Sequence, residues 1–347
     1  MKILSGAEEY FALDIGATAI RVVQLSGSGT SWSLTHFGVA PVDYRVSSSD
    51  APDDQRKLSE VILSVIAQSG IRAKNVVVGA PSNKVFATVV DLPDMPENEL
   101  ANTIRYQSDQ YIPMSTDEAK IDWAVLGKST KDAVNNEVLL ASIPNSFVEQ
   151  RLDLIEGLGF NVVAIEPESI ALTRALLPAG IPEGKLIVEL GDFSTDIIMT
   201  FGDAPRLIRS VQVGVQTIIK AASQNLNVDP QQAQQFISKF GLQPDKLEGQ
   251  VFRSIESTVE QFSVEVSKSV KFFQTKYPNV PVSTMILSNH AATIPGMGEY
   301  LSAKIGIPAE LGNPWQRVRV SNKDQNTLQT LSPQLAIAIG LAQRGVE

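Results

Sequence analysis

Two short segments, about half the chain apart, share one pattern of residue types. Leu13–Thr18 and Val188–Ser194 each contain an apolar run, a carboxylate, one apolar residue, a glycine and a small hydroxyl residue within a few positions. Glycine permits a tight turn that brings backbone N–H groups close to an anion, and a neighbouring carboxylate can hold a hydrated Mg²⁺. Two such turns facing each other predict a polyphosphate cleft between two related halves.

The surroundings of the two segments repeat as well. Three strands are predicted in each half, at 11–15, 19–25 and 31–37 and again at 186–190, 196–201 and 206–211. Apolar spacing predicts a helix at 58–68 in the first half and one at 215–225 in the second. Because a strand follows each glycine, turn amides would hold a phosphate, unlike the helix N-terminus of a Walker or dinucleotide loop. The recurrence predicts an α/β fold built by duplication of one unit.

A block without this repeat lies between the halves, and it predicts an inserted α/β subdomain. Its predicted elements are strands at 85–91, 120–126 and 137–143 and helices at 97–110 and 146–157. We therefore expect three units. The first half would comprise 1–82, 163–178 and 321–347, the insert 83–162, and the second half 179–320.

Two helix starts are predicted in the second half. Asp229 followed by Pro230 has the residue types of an N-cap and a first helical position. Asp245 and Glu248 have the spacing of a capping-box variant, and they predict the start of a long helix.

Composition excludes several classes of site. The net charge is −9 and no basic run occurs, which argues against a nucleic-acid partner. The chain has no cysteine and two histidines, which excludes disulfides and thiolate metal sites and argues against histidine-based ones. Glu8 and Glu9 stand where a signal peptide needs its apolar core, so we expect a cytoplasmic protein.

The paired hairpins resemble those of the actin, sugar kinase and heat-shock chaperone superfamily. Within it, the chain resembles the PilM family of type IV pilus assembly proteins, which is similar to the division protein FtsA. The segments that carry this resemblance are 14–21 for the first phosphate loop, 111–115 and 121–123 for the insert, 265–273 for the helix before the adenosine loop, and 336–344 for the C-terminal helix.

This resemblance implies an actin-like ATPase fold with a cleft for ATP and Mg²⁺. Asp14 and Glu189 are the residues implied to hold Mg²⁺ through water. In an ATPase, the carboxylate of Glu189 or Glu166 would orient the attacking water or substrate hydroxyl. The residues implied to bind nucleotide are Asp14, Gly16, Ala17, Thr18, Arg21, Glu189, Gly191, Ser194, Gly214, Ser288, Asn289 and His290.

Several of these residues depart from the family pattern. Arg21 stands where lysine is usual, Glu189 where aspartate is usual, and Asn289-His290 where the adenosine loop has two glycines. Phosphoryl transfer depends on the joint positioning of metal, water and phosphate, and a shift of about 1 Å can reduce its rate roughly a hundredfold. We therefore expect that ATP binding is possible and that hydrolysis is weak or lost, as in a degenerate pseudo-ATPase.

The resemblance also implies a role and partners. The chain would be a scaffold at the inner membrane that binds the cytoplasmic tail of a PilN-type membrane protein, serves the pilus motor ATPases indirectly, and self-associates. The tail groove is expected between the first half and the insert. Tyr106, Tyr111, Ile112 and Pro113 are its candidate contacts, as exposed apolar residues.

Alternatives remain open from sequence alone. The chain could be an active Mg²⁺-dependent ATPase or phosphotransferase, or an FtsA-like division protein. For single residues, Asp14 and Glu189 could simply cap turns, Thr18 could be a hairpin residue, His290 could be a packing residue, and Arg21 could lie on a solvated strand face.

Overall fold

The computed structural model describes residues 9–29, 31–115, 117–178, 180–322 and 324–345. The strands, in chain order, are β1 Tyr10–Ile15, β2 Ala19–Ser28, β3 Ser31–Pro41, β4 Asn75–Ala80, β5 Phe86–Pro93, β6 Ala119–Lys128, β7 Asn135–Pro144, β8 Asn161–Pro167, β9 Gly184–Leu190, β10 Thr195–Phe201, β11 Ala204–Val211, β12 Val282–Asn289, β13 Ala309–Leu311 and β14 Val318–Arg319. The α-helices are α1 Tyr44–Ser47, α2 Pro52–Ser69, α3 Glu97–Gln107, α4 Asn145–Gly157, α5 Glu168–Leu176, α6 Val215–Leu226, α7 Pro230–Phe240, α8 Gln250–Lys276, α9 Met297–Ile305 and α10 Gln325–Ala342.

Two large sheets share one local arrangement. The first sheet has the order β14-β3-β2-β1-β4-β8, and the second sheet has the order β11-β10-β9-β12-β13. In the first sheet β1 is antiparallel to β2 and parallel to β4, and in the second β9 is antiparallel to β10 and parallel to β12. Each glycine turn therefore joins the first two strands of an equivalent hairpin, as the repeated pattern predicted.

A small sheet, with the order β5-β7-β6, lies between them in sequence. Its antiparallel strands carry an apolar core against α3, formed by Leu92, Leu100, Ile104, Ile112, Val138 and Leu140. Ile112 is only 3% exposed because it packs into this core. The prediction that Ile112 is an exposed groove contact is therefore wrong.

A layer formed by α5 and α10 lies between the two large sheets. Residues of both helices share one core with Ala12 and Val23 of the first sheet and with Ile187 and Ile198 of the second. On their opposite faces, α2 covers the first sheet, and α6 and α8 cover the second. This layering holds the two glycine turns on the same side of the molecule.

Two helices begin at residues other than those predicted. Helix α2 begins at Pro52, with Asp53 and Asp54 in its first turn, whereas its apolar spacing begins only at Leu58. The predicted capping box at Asp245 does not start α8, which begins at Gln250 after the left-handed Gly249. The predicted N-cap at Asp229 is confirmed, since its carboxylate accepts from the backbone N–H groups of residues 231 and 232.

Among the residues described, none of the helices is both long enough and apolar enough to span a bilayer.

Candidate functional site

The two glycine turns are closed in the same way. The N–H of Gly16 donates to the carbonyl of Ala19 at 3.0 Å, and the N–H of Gly191 donates to the carbonyl of Ser194 at 2.9 Å. A Cβ on either glycine would lie 2.9 Å from that carbonyl oxygen, so a side chain at either position would disturb the turn. The closure leaves residues 17 and 18 at the tip of the first turn and residues 192 and 193 at the tip of the second.

Both turns line one cleft with a volume of about 760 Å³. The predicted site residues that line it are Asp14, Gly16, Ala17, Arg21, Glu189, Gly191, Ser194 and Asn289. The predicted residues that do not line it are Thr18, Glu166, Gly214, Ser288 and His290, together with the four tail candidates Tyr106, Tyr111, Ile112 and Pro113.

Gly214 packs closely against the backbone of the second turn. A Cβ on Gly214 would lie 2.3 Å from the carbonyl oxygen of Asp192. The first two amides of α6, on Val215 and Gln216, donate to the carbonyls of Gly191 and Asp192 at 2.9 Å. Glycine at 214 thus lets α6 begin directly against the turn. Ser288 is buried in β12, where it pairs with β9.

An ion pair lies at the floor of the cleft on the first-sheet side. Asp14 and Arg21 are register partners on β1 and β2, and Nη1 of Arg21 lies 3.2 Å from Oδ2 of Asp14. Both residues are buried, so the interpretation of Arg21 as a residue on a solvated strand face is wrong. Burial raises the pKa of Asp14, and the attraction of Arg21 only partly opposes this.

Glu189 is the equivalent carboxylate on the second-sheet side. Nδ2 of Asn289 donates to Oε1 of Glu189 at 2.7 Å. Burial and the repulsion of Asp196 raise the pKa of Glu189 to about 8. The hydrogen bond from Asn289 only partly opposes this rise in the pKa of Glu189.

Two acids that line the cleft floor, Glu168 and Asp196, are not among the residues predicted from the sequence. Glu168 opens α5 directly after β8, and burial together with the nearby Asp14 and Asp196 raises its pKa well above the usual value. Oγ of Ser82 donates to Oδ2 of Asp196 at 2.5 Å. The signal for Glu168 was its place at the carboxyl end of a strand next to the start of a helix.

Glu166, the acid chosen from sequence, lies elsewhere. Arg174 holds its two carboxylate oxygens at 2.9 and 2.5 Å, and Arg174 also donates to the carbonyl of Gly340. Arg174 of α5 thus links Glu166 of β8 to Gly340 of α10, and Glu168 is the acid that lines the cleft.

Three contacts cross the cleft between the first-sheet side and the second-sheet side, two at the mouth and one at the floor. Oγ1 of Thr18 donates to Oδ2 of Asp192 at 2.7 Å, and the rings of Tyr44 and Phe193 lie 4.0 Å apart between centroids. The third is the Ser82–Asp196 hydrogen bond. On the second-sheet side, Nε2 of His290 lies 3.3 Å from Oδ1 of Asp192. Burial alone would raise the pKa of Asp192, but hydrogen bonds to His290 and Thr18 outweigh it and lower this pKa.

The charges of the floor favour a cation or a metal-bound anion. Asp14, Glu168, Glu189 and Asp196 lie near one another beside the buried Arg21, so a further cation would relieve the repulsion among these acids. The described part of the chain holds no group of three or more acid, histidine or cysteine side chains placed to hold a metal ion directly. The floor therefore fits a hydrated Mg²⁺ carried by a nucleotide, and Thr18 and Asp192 are bonded to each other at the mouth.

The proposed tail contacts divide by exposure. Tyr106 is 83% exposed, Pro113 is exposed, and Tyr111 is half-buried against the core of the small sheet. None of them is near enough to the glycine turns to line the cleft.

Comparison with solved structures identifies the class of fold. A structure described as a PilM-PilN type IV pilus biogenesis complex matches with a TM-score of 0.83 and 23% identity over 98% of this chain and 99% of that chain. MreB5 of Spiroplasma citri, bound to AMPPNP, matches with a TM-score of 0.56 and 11% identity over 96% and 95% of the two chains. The ethanolamine utilization protein EutJ from Carboxydothermus hydrogenoformans matches at 0.55 and 14% identity over 99% and 92%. The fold is thus actin-like α/β, as expected.

The family follows from a match along nearly the whole chain. The model of the family described as type IV pilus assembly protein PilM matches residues 12–346, which include both glycine turns and all three sheets. The chain therefore belongs to the PilM family of type IV pilus assembly proteins.

Proposed function

We propose that this chain is a scaffold of type IV pilus assembly that binds the cytoplasmic tail of an inner-membrane PilN-type protein. Membership of the PilM family supports the pilus role, and the PilM-PilN complex supports the partner. The chain would lie on the cytoplasmic side of the inner membrane through this partner, serve the motor ATPases indirectly, and self-associate.

The predicted division into two halves and an insert is part of this proposal. The small sheet uses only strands between residues 86 and 144, and the second sheet uses only strands between residues 184 and 311. These bounds support an insert that contains β5 to β7 and a second half that contains β9 to β13. The proposed limits of 83–162 and 179–320 need adjustment, because Ile155 of α4 lies in the core of the first sheet and β14 pairs with β3. We therefore assign α4 and β14 to the first half.

The observation that carries the tail proposal is that residues of α1 and α4 line the same cleft as the glycine turns. They are Tyr44 and Ser47 of α1 and Gln150, Arg151 and Leu154 of α4. This part of the lining offers both polar and apolar side chains to an extended peptide. We place the tail there, and the exposed Tyr106 remains a competing contact to be tested.

The nucleotide proposal concerns binding more than turnover. We propose that Mg-ATP, where bound, lies between the turn tips, with Asp14 and Glu189 holding the hydrated Mg²⁺, which would neutralise phosphate charge. The relative MreB5 bound to AMPPNP supports a nucleotide in this fold. The side-chain amide of Asn289 already engages Oε1 of Glu189 at 2.7 Å, which favours binding over the orientation of an attacking water by this carboxyl group. An active ATPase is the alternative.

Calorimetry tests the scaffold proposal. The full chain is titrated with a synthetic peptide of the cytoplasmic tail of the PilN-type protein from the same genome. We expect binding that Arg151→Glu weakens at least tenfold and that Tyr106→Ser leaves unchanged. Wild-type protein that does not bind the peptide would contradict the scaffold, and loss of binding only in Tyr106→Ser would move the tail site to the small sheet.

A second titration with Mg-ATP, followed by a phosphate-release assay, tests the nucleotide proposal. We expect saturable binding that Asp14→Ala abolishes, with release slower than one phosphate per minute. Rapid release would favour the ATPase alternative. Affinity unchanged in Asp14→Ala would place the nucleotide outside the cleft between the turns.

A further inference from the structure

The second glycine turn carries a side chain that bonds to the first turn across the cleft. Asp192 accepts from Thr18 of the first turn at 2.7 Å through Oδ2 and contacts His290 at 3.3 Å through Oδ1. Its side chain is 11% exposed, so these contacts are largely screened from water. Hydrogen bonds to a charged acceptor are the stronger class, which makes this bridge a substantial tie between the sheets.

The bridge joins the tips of the two glycine turns. Thr18 and Asp192 are the tip residues that it connects, and Asp192 also lines the cleft. His290 follows Asn289, whose φ is 53° and whose side-chain amide donates to Glu189. The consecutive residues Asn289 and His290 therefore each contact an acid on the second-sheet side.

We propose that Thr18, Asp192 and His290 form a latch that holds the two sheets closed in the absence of nucleotide. The ring contact of Tyr44 with Phe193 and the bond of Ser82 to Asp196 act beside it and join the same two sheets. In this mechanism the protein's own side chains replace the cross-cleft contacts of a ligand. This competition rests on the proposed nucleotide site between the turn tips: a phosphate bound there would require Thr18 and Asp192 to separate, so nucleotide and latch exclude each other. The latch does not depend on tail binding.

Distance measurements between spin labels test the latch directly. The chain contains no cysteine, so Glu60→Cys on α2 and Gln235→Cys on α7 give two unique exposed labelling sites on the two sides of the cleft. Without nucleotide, we expect one narrow distance distribution in the otherwise wild-type chain. Asp192→Ala should broaden it and shift it to longer distances, and Thr18→Val should do so to a smaller extent. Asp245→Ala, which removes an exposed carboxylate, is the matched control and should leave it unchanged.

Nucleotide titration is the second test of the latch. We expect Asp192→Ala to bind a non-hydrolysable ATP analogue about tenfold more tightly than wild type, since about 1.4 kcal/mol of latch energy no longer opposes binding. Weaker binding in Asp192→Ala would overturn the competition and make Asp192 a nucleotide contact. A broad distribution in the nucleotide-free wild type, or equal distributions in wild type, Asp192→Ala and Thr18→Val, would overturn the latch itself.

Discussion

Arg206 and Glu137 form a buried ion pair that joins the second sheet to the small sheet. Nε of Arg206, on β11, lies 2.8 Å from Oε2 of Glu137, on the central strand β7, and the side chains are 7% and 2% exposed. Nζ of Lys276 adds a hydrogen bond from the end of α8 to the carbonyl of Val89 at 3.0 Å. The small sheet is thereby fixed to the second sheet by polar contacts within a buried interface.

Removal of one partner of this pair is predicted to be strongly destabilising. Glu137→Leu leaves the guanidinium of Arg206 buried without a counter-charge, and we expect a loss of about 3–5 kcal/mol in the free energy of unfolding. Urea denaturation measures this, and the double variant Glu137→Leu, Arg206→Met should recover much of the loss. Lys128→Ala breaks the exposed pair with Asp94 and is the control. A loss in Glu137→Leu no larger than in Lys128→Ala would contradict a stabilising buried pair.

Gly340 on α10 is predicted to tolerate no side chain. A Cβ there would overlap the carbonyl of Ala171 on α5, so Gly340→Ala must push the two helices of the central layer apart. We expect a loss of at least about 2 kcal/mol and a lower Tm in calorimetry. Gly157→Ala is the matched control, because Gly157 also lies in a helix and a Cβ there meets nothing within 4 Å. If both variants melted alike, the close packing of α5 on α10 would be incorrect.

The two predicted helix caps are expected to differ in their effect on stability. Asp229 accepts two backbone N–H groups at the start of α7, so Asp229→Ala should lower the free energy of unfolding by about 0.5–2 kcal/mol. Asp245 caps no helix, and Asp245→Ala should have little effect. Parallel urea titrations of the two variants measure the difference, and equal effects would show that Asp229 does not act as a cap.

The pH dependence of stability is predicted to depend on Glu189. Its pKa is about 8 in the folded chain because of burial and the repulsion of Asp196, and it is near the usual glutamate value in the unfolded chain. The folded state therefore binds more protons than the unfolded state between these two values. The stability contributed by protonated Glu189 is complete below the unfolded pKa and is lost as the pH rises through about 8.

Glu189→Gln removes this titration and keeps a hydrogen-bonding amide for Asn289. We expect the variant to gain stability relative to wild type as the pH is raised from 5 to 8.5, measured by urea denaturation across that range. A difference between variant and wild type that is independent of pH would contradict the raised pKa.

Sequence patterns predicted the two hairpins and the cap at Asp229, because each depends on interactions between residues close together in the chain. The two hairpins depend on glycines that a side chain would disturb, and β1 and β9 are almost wholly buried strands, so periodicity and turn chemistry are sufficient to predict them. The cap at Asp229 is likewise a local hydrogen bond between residues two and three apart. The capping box at Asp245 failed because Leu247, Glu248 and Gly249 all have positive φ, which stops a helix from starting before Gln250.

The site depended on contacts that no local pattern contains. Glu166 and Glu168 are two residues apart and chemically alike, yet Glu166 is bound by Arg174 whereas Glu168 lines the cleft. Ile112 is an apolar residue in a polar stretch, and only its packing beneath α3 reveals that it is buried.

The duplicated hairpins, the glycine turns and membership of the PilM family follow from the sequence, because each depends on residues close together in the chain or on their order along it. The pairing of Asp14 with Arg21 lies within one hairpin, but its burial, which raises the pKa of Asp14, comes from the packing around that hairpin. Asn289 meets Glu189 because β12 pairs with β9, although the two residues are 100 positions apart. Of these contacts, the bond from Thr18 to Asp192 is the one that requires α5 and α10 to bring the two sheets together, so the closure of the cleft follows from the tertiary packing.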